Sequence, residues 1–360
     1  MAAPRPTVGG AASVPPGRVS PHMRPGTNRG GAGVAISVLA AVSVLGPAGC
    51  VVDSDCGPVT VAEMTWPTAA FAANVEHFIL QHGYGCLSEV VPGNTVPTVT
   101  AMVERGEPDV APEVWLNSIR LVVERGLAEG RLRMAGDIVS DGGDEGWYVP
   151  EFVVEQHPEL ATLDGVLGRP DLFPDVEEPG KGRFYTCPPG WACQIIDKNL
   201  YRAFGMEAAG FTLFNPGSGE GLSAAIARAS ERREPIFAYF YTPSPLVARY
   251  PMRKLQSVPH DPGTWPCMTT PDCASPVRNS YPKPVVKTVV SASFAERAPD
   301  AYAFVSRVSW TNAFLSGLMD WQETEYATPR ETALHFLRTH EPVWTQWVPA
   351  EVAARVRSAL

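Results

Sequence analysis

The chain has 360 residues, which is long enough for two domains. Its composition, with 45% hydrophobic and 19% charged residues, is typical of a globular protein with a buried core. Its 38 acidic and 29 basic residues give a formal net charge of −9, which argues against a nucleic-acid partner. An anionic membrane surface would repel the same charge, so attachment to a membrane would need a separate device.

The first part of the chain has the pattern of an export signal. Residues 1–33 are rich in Gly, Pro and Arg, and the apolar run over 34–45 is too short to span a bilayer but fits the hydrophobic region of a signal peptide. Small residues then lead to Cys50. This resembles a bacterial lipoprotein signal, which is cleaved before a cysteine that receives the lipid, although Pro47 stands where leucine is usual. A plain secretory signal is the alternative, and Met23 is an alternative start.

Strands and helices alternate in the next part of the chain. Three β-rich runs end near Met64, Val91 and Trp115, and each is followed by apolar residues at helical spacing that end on a glycine. This alternation predicts βαβ units and a parallel sheet, in which ligands bind beyond the carboxyl ends of the strands. Trp66 and Trp115 lie at such ends.

Residues 141–150 are a candidate crossing into a second lobe. Beyond it, an aromatic strand over 235–243 contains Tyr241, a proline-rich loop spans 260–284, and a strand is predicted over 285–294. Helical spacing is found at residues 151–160, 194–205, 221–235, 297–308, 311–323 and 328–348.

Six cysteines follow Cys50, and an even number in an exported chain indicates disulfide bonds. Six cysteines allow fifteen connectivities. Two pairs are local, and the third would tie the starts of the first two strands together. These pairs are Cys187–Cys193, Cys267–Cys273 and Cys56–Cys86. No metal or other cofactor is expected, because the cysteines do not form C-x-x-C pairs and no histidine lies at ligand spacing beside them.

Four aromatic residues lie at predicted strand ends or turns rather than in helical stripes: Trp66, Trp115, Trp191 and Tyr241. The faces of such rings attract a cation by about 0.5–2 kcal/mol each. A quaternary ammonium group has no N–H to donate, so several rings around one pocket are the chemistry that would recognise it. The alternative for each ring is packing in a core or an interface. Trp147, at the predicted crossing, could take either role.

The segment TCPPGWACQ, residues 186–194, combines two kinds of binding group. A disulfide between Cys187 and Cys193 would hold the turn rigid and lower the ordering cost of binding. The turn would present the ring of Trp191 beside the backbone N–H groups of Ala192 and Cys193, at the start of a predicted helix where anions are favoured. A zwitterion with a cation and a carboxylate would fit this loop.

Four segments, taken in order along residues 57–350, resemble the glycine betaine and proline-betaine-binding proteins of ABC transporters. EMTWPTA resembles the family's loop after the first strand, and PDVAPEVWLNS resembles a segment whose tryptophan, here Trp115, is a wall of the ligand box. CPPGWAC resembles the family's Cys-x-Pro-Gly-Trp-x-Cys loop. FAYFYTPSPLVARY resembles a strand ending in Trp-Thr-Pro, with Tyr241 in place of the tryptophan.

The resemblance implies an α/β, type II periplasmic-binding-protein fold, in which two α/β lobes close on a ligand in the cleft between them. In one branch of the family a histidine that contacts the ligand's carboxylate stands at the position of Ile119, and Asn117 is the candidate to replace it. The implied ligand contacts are the rings of Trp66, Trp115, Trp191 and Tyr241, the amides of Ala192 and Cys193, and Asn117.

The implied function is that of an extracytoplasmic, lipid-anchored solute-binding protein that takes a quaternary ammonium ligand to ABC permease subunits. Its ligand would be glycine betaine, proline betaine, choline, carnitine or another trimethylammonium compound. A lipoprotein sensor of the same fold is the alternative. We expect a signal peptide over 1–49, a lipid-anchored linker over 50–56, a first lobe from 57–147 and 285–360, and a second lobe over 148–284.

An enzyme is not expected. The segment NPGSGEG lacks the Gly-x-Ser-x-Gly spacing of a hydrolase, and export would oxidise a thiol nucleophile. Asp109 and Glu113 could pair as carboxylates, but two acids in an acidic chain are no catalytic signal by themselves.

Overall fold

The structure, a computed structural model, describes residues 56–247 and 249–360. The expected signal peptide and the expected lipidation site, Cys50, lie outside the described residues. Within the part that is described, none of the helices combines the length and the apolar character needed to cross a membrane.

A first five-stranded sheet is built from both ends of the described chain. Its strands are β1 Pro58–Met64, β2 Leu87–Gly93, β3 Val110–Trp115, β4 Leu132–Asp137 and β10 Val286–Ser291. They lie in the order β2-β1-β3-β10-β4. β1 pairs in parallel with β2 and β3, as the alternation of strand and helix predicts, whereas β10 lies antiparallel between β3 and β4. Every residue of β3 is buried, as expected for an inner strand of a covered sheet.

A second five-stranded sheet is built from the middle of the chain. Its strands are β5 Asp144–Pro150, β6 Gly182–Tyr185, β7 Phe211–Phe214, β8 Phe237–Thr242 and β9 Met252–Lys254. Their order, β7-β6-β8-β5-β9, matches that of the first sheet, with the crossing strand β5 antiparallel to β8 and β9. All of β5 belongs to this sheet. The chain therefore crosses before Asp144, and the expected boundary between residues 147 and 148 lies inside the strand.

Fourteen α-helices are found among the described residues, and most are short. They are α1 Pro67–Phe78, α2 Thr95–Arg105, α3 Leu116–Ala128, α4 Glu151–Gln156, α5 Leu163–Leu167, α6 Cys193–Ala203, α7 Gly219–Arg232, α8 Trp265–Met268, α9 Ala292–Arg297, α10 Pro299–Val305, α11 Asn312–Thr324, α12 Pro329–Thr339, α13 Glu341–Trp344 and α14 Ala350–Ala359. A π-helical turn, Ile79–Gly83, continues α1, and 3₁₀ turns cover Pro158–Ala161, Pro170–Leu172 and Pro245–Val247.

Helix boundaries follow local chemistry. α2 ends at Gly106, whose φ of 79° is a left-handed conformation that glycine adopts without strain. The strand predicted over 285–294 is too long. It ends at Ser291, whose hydroxyl accepts a hydrogen bond from the N–H of Phe294 and so begins α9 instead. The short strands β6 and β7 and the helix α14 have no counterpart in the sequence prediction.

Three disulfides join the pairs that the sequence analysis favours. Their Cα–Cα distances are 5.2 Å for Cys56–Cys86, 5.8 Å for Cys187–Cys193 and 5.2 Å for Cys267–Cys273. The first ties the start of β1 to the start of β2, and the second closes the loop that precedes α6. The third lies beside α6, where the side-chain amide of Asn199 donates to the carbonyls of Met268 and Thr270 over 3.0 and 2.9 Å.

Candidate functional site

Four aromatic rings meet between the two sheets. Trp66 and Trp115 come from the first lobe, and Trp191 and Tyr241 come from the second. The ring centroids are 5.4 Å apart for Trp66 and Trp191, 5.5 Å for Trp191 and Tyr241, and 6.0 Å for Trp115 and Tyr241. All three contacts are edge-to-face, a favoured arrangement of aromatic pairs. We call these four residues, which line one cavity, the aromatic cage.

The strand ends explain why the rings converge. Trp66 follows β1 and immediately precedes α1, Trp115 is the last residue of β3, and Tyr241 is the penultimate residue of β8. Two glycines allow the rings to pack closely. A Cβ atom at Gly143 would come within 2.7 Å of the Trp115 ring, and one at Gly219 would come within 3.0 Å of the Trp191 ring. Larger side chains at these positions would displace the rings.

A buried carboxylate restrains the two rings of the first lobe. Oε1 of Glu113 accepts hydrogen bonds from Nε1 of Trp66 over 2.6 Å and from Nε1 of Trp115 over 3.0 Å. It also accepts from the hydroxyl of Thr68 over 3.1 Å. Burial raises the pKa of Glu113, and these three bonds partly offset the rise by stabilising the ionised form. Asp109 does not pair with Glu113, because it accepts from Thr60 and Ser291 instead.

The cavity also has polar groups at the start of α6. The backbone N–H groups of Ala192 and Cys193 have no hydrogen-bond acceptor among the described residues, as is usual for the first turn of a helix. Both residues line the cavity. Unpaired N–H groups at a helix N-terminus favour an electron-rich oxygen of a ligand.

A buried aspartate holds the disulfide loop in place. Oδ2 of Asp197 accepts from the hydroxyl of Thr186 over 2.8 Å and from the N–H of Cys187 over 2.9 Å. Its Oδ1 accepts from Nε1 of Trp147 over 2.6 Å and from the hydroxyl of Tyr281 over 2.7 Å. Burial raises the pKa of Asp197 to about 6. The loop that presents Trp191 is therefore anchored to α6 and to two neighbouring segments.

Trp147 supports this loop rather than lining the cage. Its ring packs against Phe184 and Phe237, with centroids 4.8 and 5.8 Å away, in the core of the second lobe. Its N–H donates to Asp197. Of the two roles open to Trp147, the structure shows the packing role.

Asn117 is the one expected ligand contact that does not line the cavity. Its Oδ1 accepts from the N–H of Val285 over 2.7 Å, and its carbonyl accepts from Nε1 of Trp265 over 2.9 Å. The side-chain amide is thereby directed to the loop before β10. The next residue, Ser118, lines the cavity in its place. The other six expected contacts do line it, namely Trp66, Trp115, Trp191, Ala192, Cys193 and Tyr241.

Four lining residues are absent from the sequence prediction: Thr95, Ser118, Glu145 and Tyr239. Tyr239 could have been found, because it lies two residues before Tyr241 and alternate residues of a strand share a face. Thr95 could also have been found, because it closely follows a strand end. Glu145 could not, because it reaches the cavity through the antiparallel pairing of β5 with β8, which places it opposite Tyr241.

Two hydrogen bonds join the lobes directly, and the cavity between the lobes is small. Nε1 of Trp191 donates to the hydroxyl oxygen of Thr65 over 2.8 Å, and the N–H of Val96 donates to the carbonyl of Gly190 over 3.3 Å. The cavity volume is about 30 Å³, which is enough for at least one ordered water molecule. The structure therefore shows the two lobes in contact around the cavity.

Two similar α/β lobes with an aromatic cavity between them define the class of two-lobed solute-binding proteins. Residues 57–339 match the family described as the substrate binding domain of the ABC-type glycine betaine transport system. The chain belongs to this family, as the sequence analysis expects. The family is defined by a transport role rather than by a catalysed reaction.

Solved structures with the same fold include proteins of ABC transporters. The glycine betaine, L-proline-binding protein ProX of Borrelia burgdorferi is 17% identical, with a TM-score of 0.66 over 83% of this chain and 99% of that one. A choline-binding protein of an ABC transporter, in complex with choline, is 16% identical, with a TM-score of 0.66 over 84% and 98%. Lactococcal OpuAC, closed on glycine betaine, is 16% identical, with a TM-score of 0.61 over 81% and 100%. The predicted type II fold class is confirmed.

Proposed function

We propose that this chain is the extracytoplasmic solute-binding protein of an ABC importer, and that it captures glycine betaine or a related quaternary ammonium compound. One observation carries the proposal: two aromatic rings from each lobe converge on a single cavity. Ring faces are the groups that recognise a cation without N–H donors, at about 0.5–2 kcal/mol for each desolvated ring. Family membership and the ligands named for the similar structures support the same ligand class.

Capture would proceed by closure of the lobes. Because each lobe supplies only two of the four rings, a ligand contacts the whole cage only when the lobes are together. The ligand therefore binds the closed form more tightly than the open form and shifts the population towards closure. The closed form would then dock on the permease. In a zwitterionic ligand, the carboxylate would be held by the N–H groups of Ala192 and Cys193.

We also propose that residues 1–49 are a signal peptide and that Cys50 carries a lipid anchor. The sequence pattern before Cys50 supports this proposal. Replacing Cys50 with Ser should release the protein from the membrane fraction, with folding and ligand affinity unchanged. Release of the wild-type protein as well would favour a plain secretory signal.

The experiment that tests the binding function is calorimetry with glycine betaine, proline betaine, choline and carnitine, with glycine as the control ligand that lacks methyl groups. Trp191→Ala should weaken binding at least about tenfold, because it removes a desolvated ring. Trp321→Ala is the matched control, because Trp321 stacks on His335 and does not line the cavity. If none of the methylated compounds binds, or if both variants bind like the wild type, the proposed site is wrong.

A further inference from the structure

Glu145 is the one charged side chain among the described residues that line the cavity, and neither lysine, arginine nor histidine accompanies it there. Only 1% of its surface is exposed. Its Oε2 accepts from the hydroxyl of Tyr239 over 2.8 Å within the second lobe. Its Oε1 accepts from the hydroxyl of Ser118 over 3.3 Å, across the lobe interface. Both oxygens thus face hydroxyl groups at the wall of the ligand cavity.

We propose that Glu145 is a specificity-determining residue that favours quaternary ammonium ligands with a neutral hydroxyl at the other end over those with a carboxylate there. This inference rests on the proposed function, because it requires the aromatic cage to hold the ammonium group. It concerns the polar end of the ligand, which the aromatic rings do not select.

Hydrogen-bond complementarity supports this selection. The cavity offers an acceptor at Glu145 and donors at the N–H groups of Ala192 and Cys193. A hydroxyl can satisfy both, because it donates one hydrogen bond and accepts others, whereas a carboxylate only accepts. A ligand carboxylate would also place a second negative charge in a buried cavity that has no basic side chain among its described lining residues.

The protonation of Glu145 should make ligand affinity depend on pH, which can be measured. Burial is the main cause that raises the pKa of Glu145 to about 7, and the bonds from Tyr239 and Ser118 oppose the rise. Two nearby charged groups also act on this pKa. Lys254 of β9, which pairs with Asp144, lowers it, and Asp197 of α6 raises it. The other titratable groups nearby are Tyr148 of β5 and Tyr281 of the loop before β10.

The sign of the pH effect differs between the two ligand types. A bound monocation stabilises ionised Glu145, so binding below pH 7 must release a proton from that group. Choline affinity should therefore rise about tenfold from pH 6 to pH 8 and level off above that. Glycine betaine should show the opposite slope, because protonated Glu145 can donate to its carboxylate and ionised Glu145 repels it.

The test is calorimetry of choline and glycine betaine at pH 6, 7 and 8, with the wild type, Glu145→Gln and Glu220→Gln. Glu145→Gln should weaken choline binding at pH 8 about tenfold or more and remove its pH dependence. It should strengthen glycine betaine binding at pH 8, because the repulsion between ionised Glu145 and the ligand carboxylate is removed. Glu220→Gln removes the same charge from an exposed helix start outside the cavity and should change both affinities less than about twofold.

The wild-type pH profile needs no variant, so it tests the inference even if Glu145→Gln does not fold. The results distinguish failure of the proposed function from failure of the role proposed for Glu145. If the wild type binds neither compound, the proposed function fails and this inference with it. If both compounds bind with equal and pH-independent affinities, or if glycine betaine is preferred at pH 8, the proposed function stands and the role of Glu145 is refuted.

Discussion

The hydrogen bond between Trp191 and Thr65 offers the sharpest test of how closure and ligand recognition are linked. The indole N–H of the second lobe donates to a hydroxyl oxygen of the first lobe over 2.8 Å, so the bond exists only when the lobes are together. Trp191→Phe keeps an aromatic face at the cage and removes this donor. Thr65→Val removes the acceptor and leaves the cage rings in place.

The expected size of the effect follows from the exposure of the bond. A hydrogen bond contributes about 0.5–1.5 kcal/mol net, and Thr65 is exposed, which favours the lower half of that range. About 0.5–1 kcal/mol less stabilisation of the closed form corresponds to a ligand dissociation constant about two- to fivefold higher. Each variant should show at least this loss. Trp191→Phe should show more, because phenylalanine is a smaller π surface than tryptophan.

A double-mutant cycle separates the bond from the ring. Thr65 also donates to Oδ1 of Asn94 over 2.8 Å, so the Thr65→Val variant alone is ambiguous. In the cycle, calorimetric binding energies of the wild type, both single variants and the double variant should give a coupling of about 0.5–1 kcal/mol. Strictly additive losses would refute the view that this bond holds the lobes closed around the ligand.

Two further predictions concern groups that support the cage. Glu113→Ala leaves two buried indole N–H groups without an acceptor, at about 1–3 kcal/mol each, so urea unfolding should show a loss of about 2–6 kcal/mol. A loss below about 1 kcal/mol would mean that water replaces the carboxylate. Replacing Cys187 and Cys193 together with Ser should destabilise the protein by about 2–3 kcal/mol and weaken ligand binding severalfold. The matched control is the double variant of Cys267 and Cys273, which have the same separation of 6 residues. It should lose stability without losing affinity. Equal affinity losses in the two double variants would argue against a binding role for the loop between Cys187 and Cys193.

Local sequence patterns were sufficient for the parts of the site that depend on strand ends and tight loops. Trp66 and Trp115 lie where a parallel sheet presents ligand groups, because each directly follows or ends a β-rich run. The loop between Cys187 and Cys193 could be predicted as one rigid turn, since a short closed loop before a helix can adopt few geometries. Tyr241 could be placed because an aromatic strand ends beside it.

Other residues depend on pairings that no local pattern contains. Glu145 reaches the cavity only because β5 returns from the first lobe and pairs antiparallel with β8, and Ser118 reaches it only because the lobes meet. Asn117 illustrates the converse case, since its side chain is used by Val285, more than a hundred residues away in sequence. Sequence periodicity reports which face of its own element a residue occupies, whereas strand pairing and lobe closure are set by the combined burial of distant segments. For this reason the sequence alone indicated the fold class, the disulfide loop and the ring types, whereas the tertiary structure decided where the chain crosses between the lobes and which polar groups share their cavity.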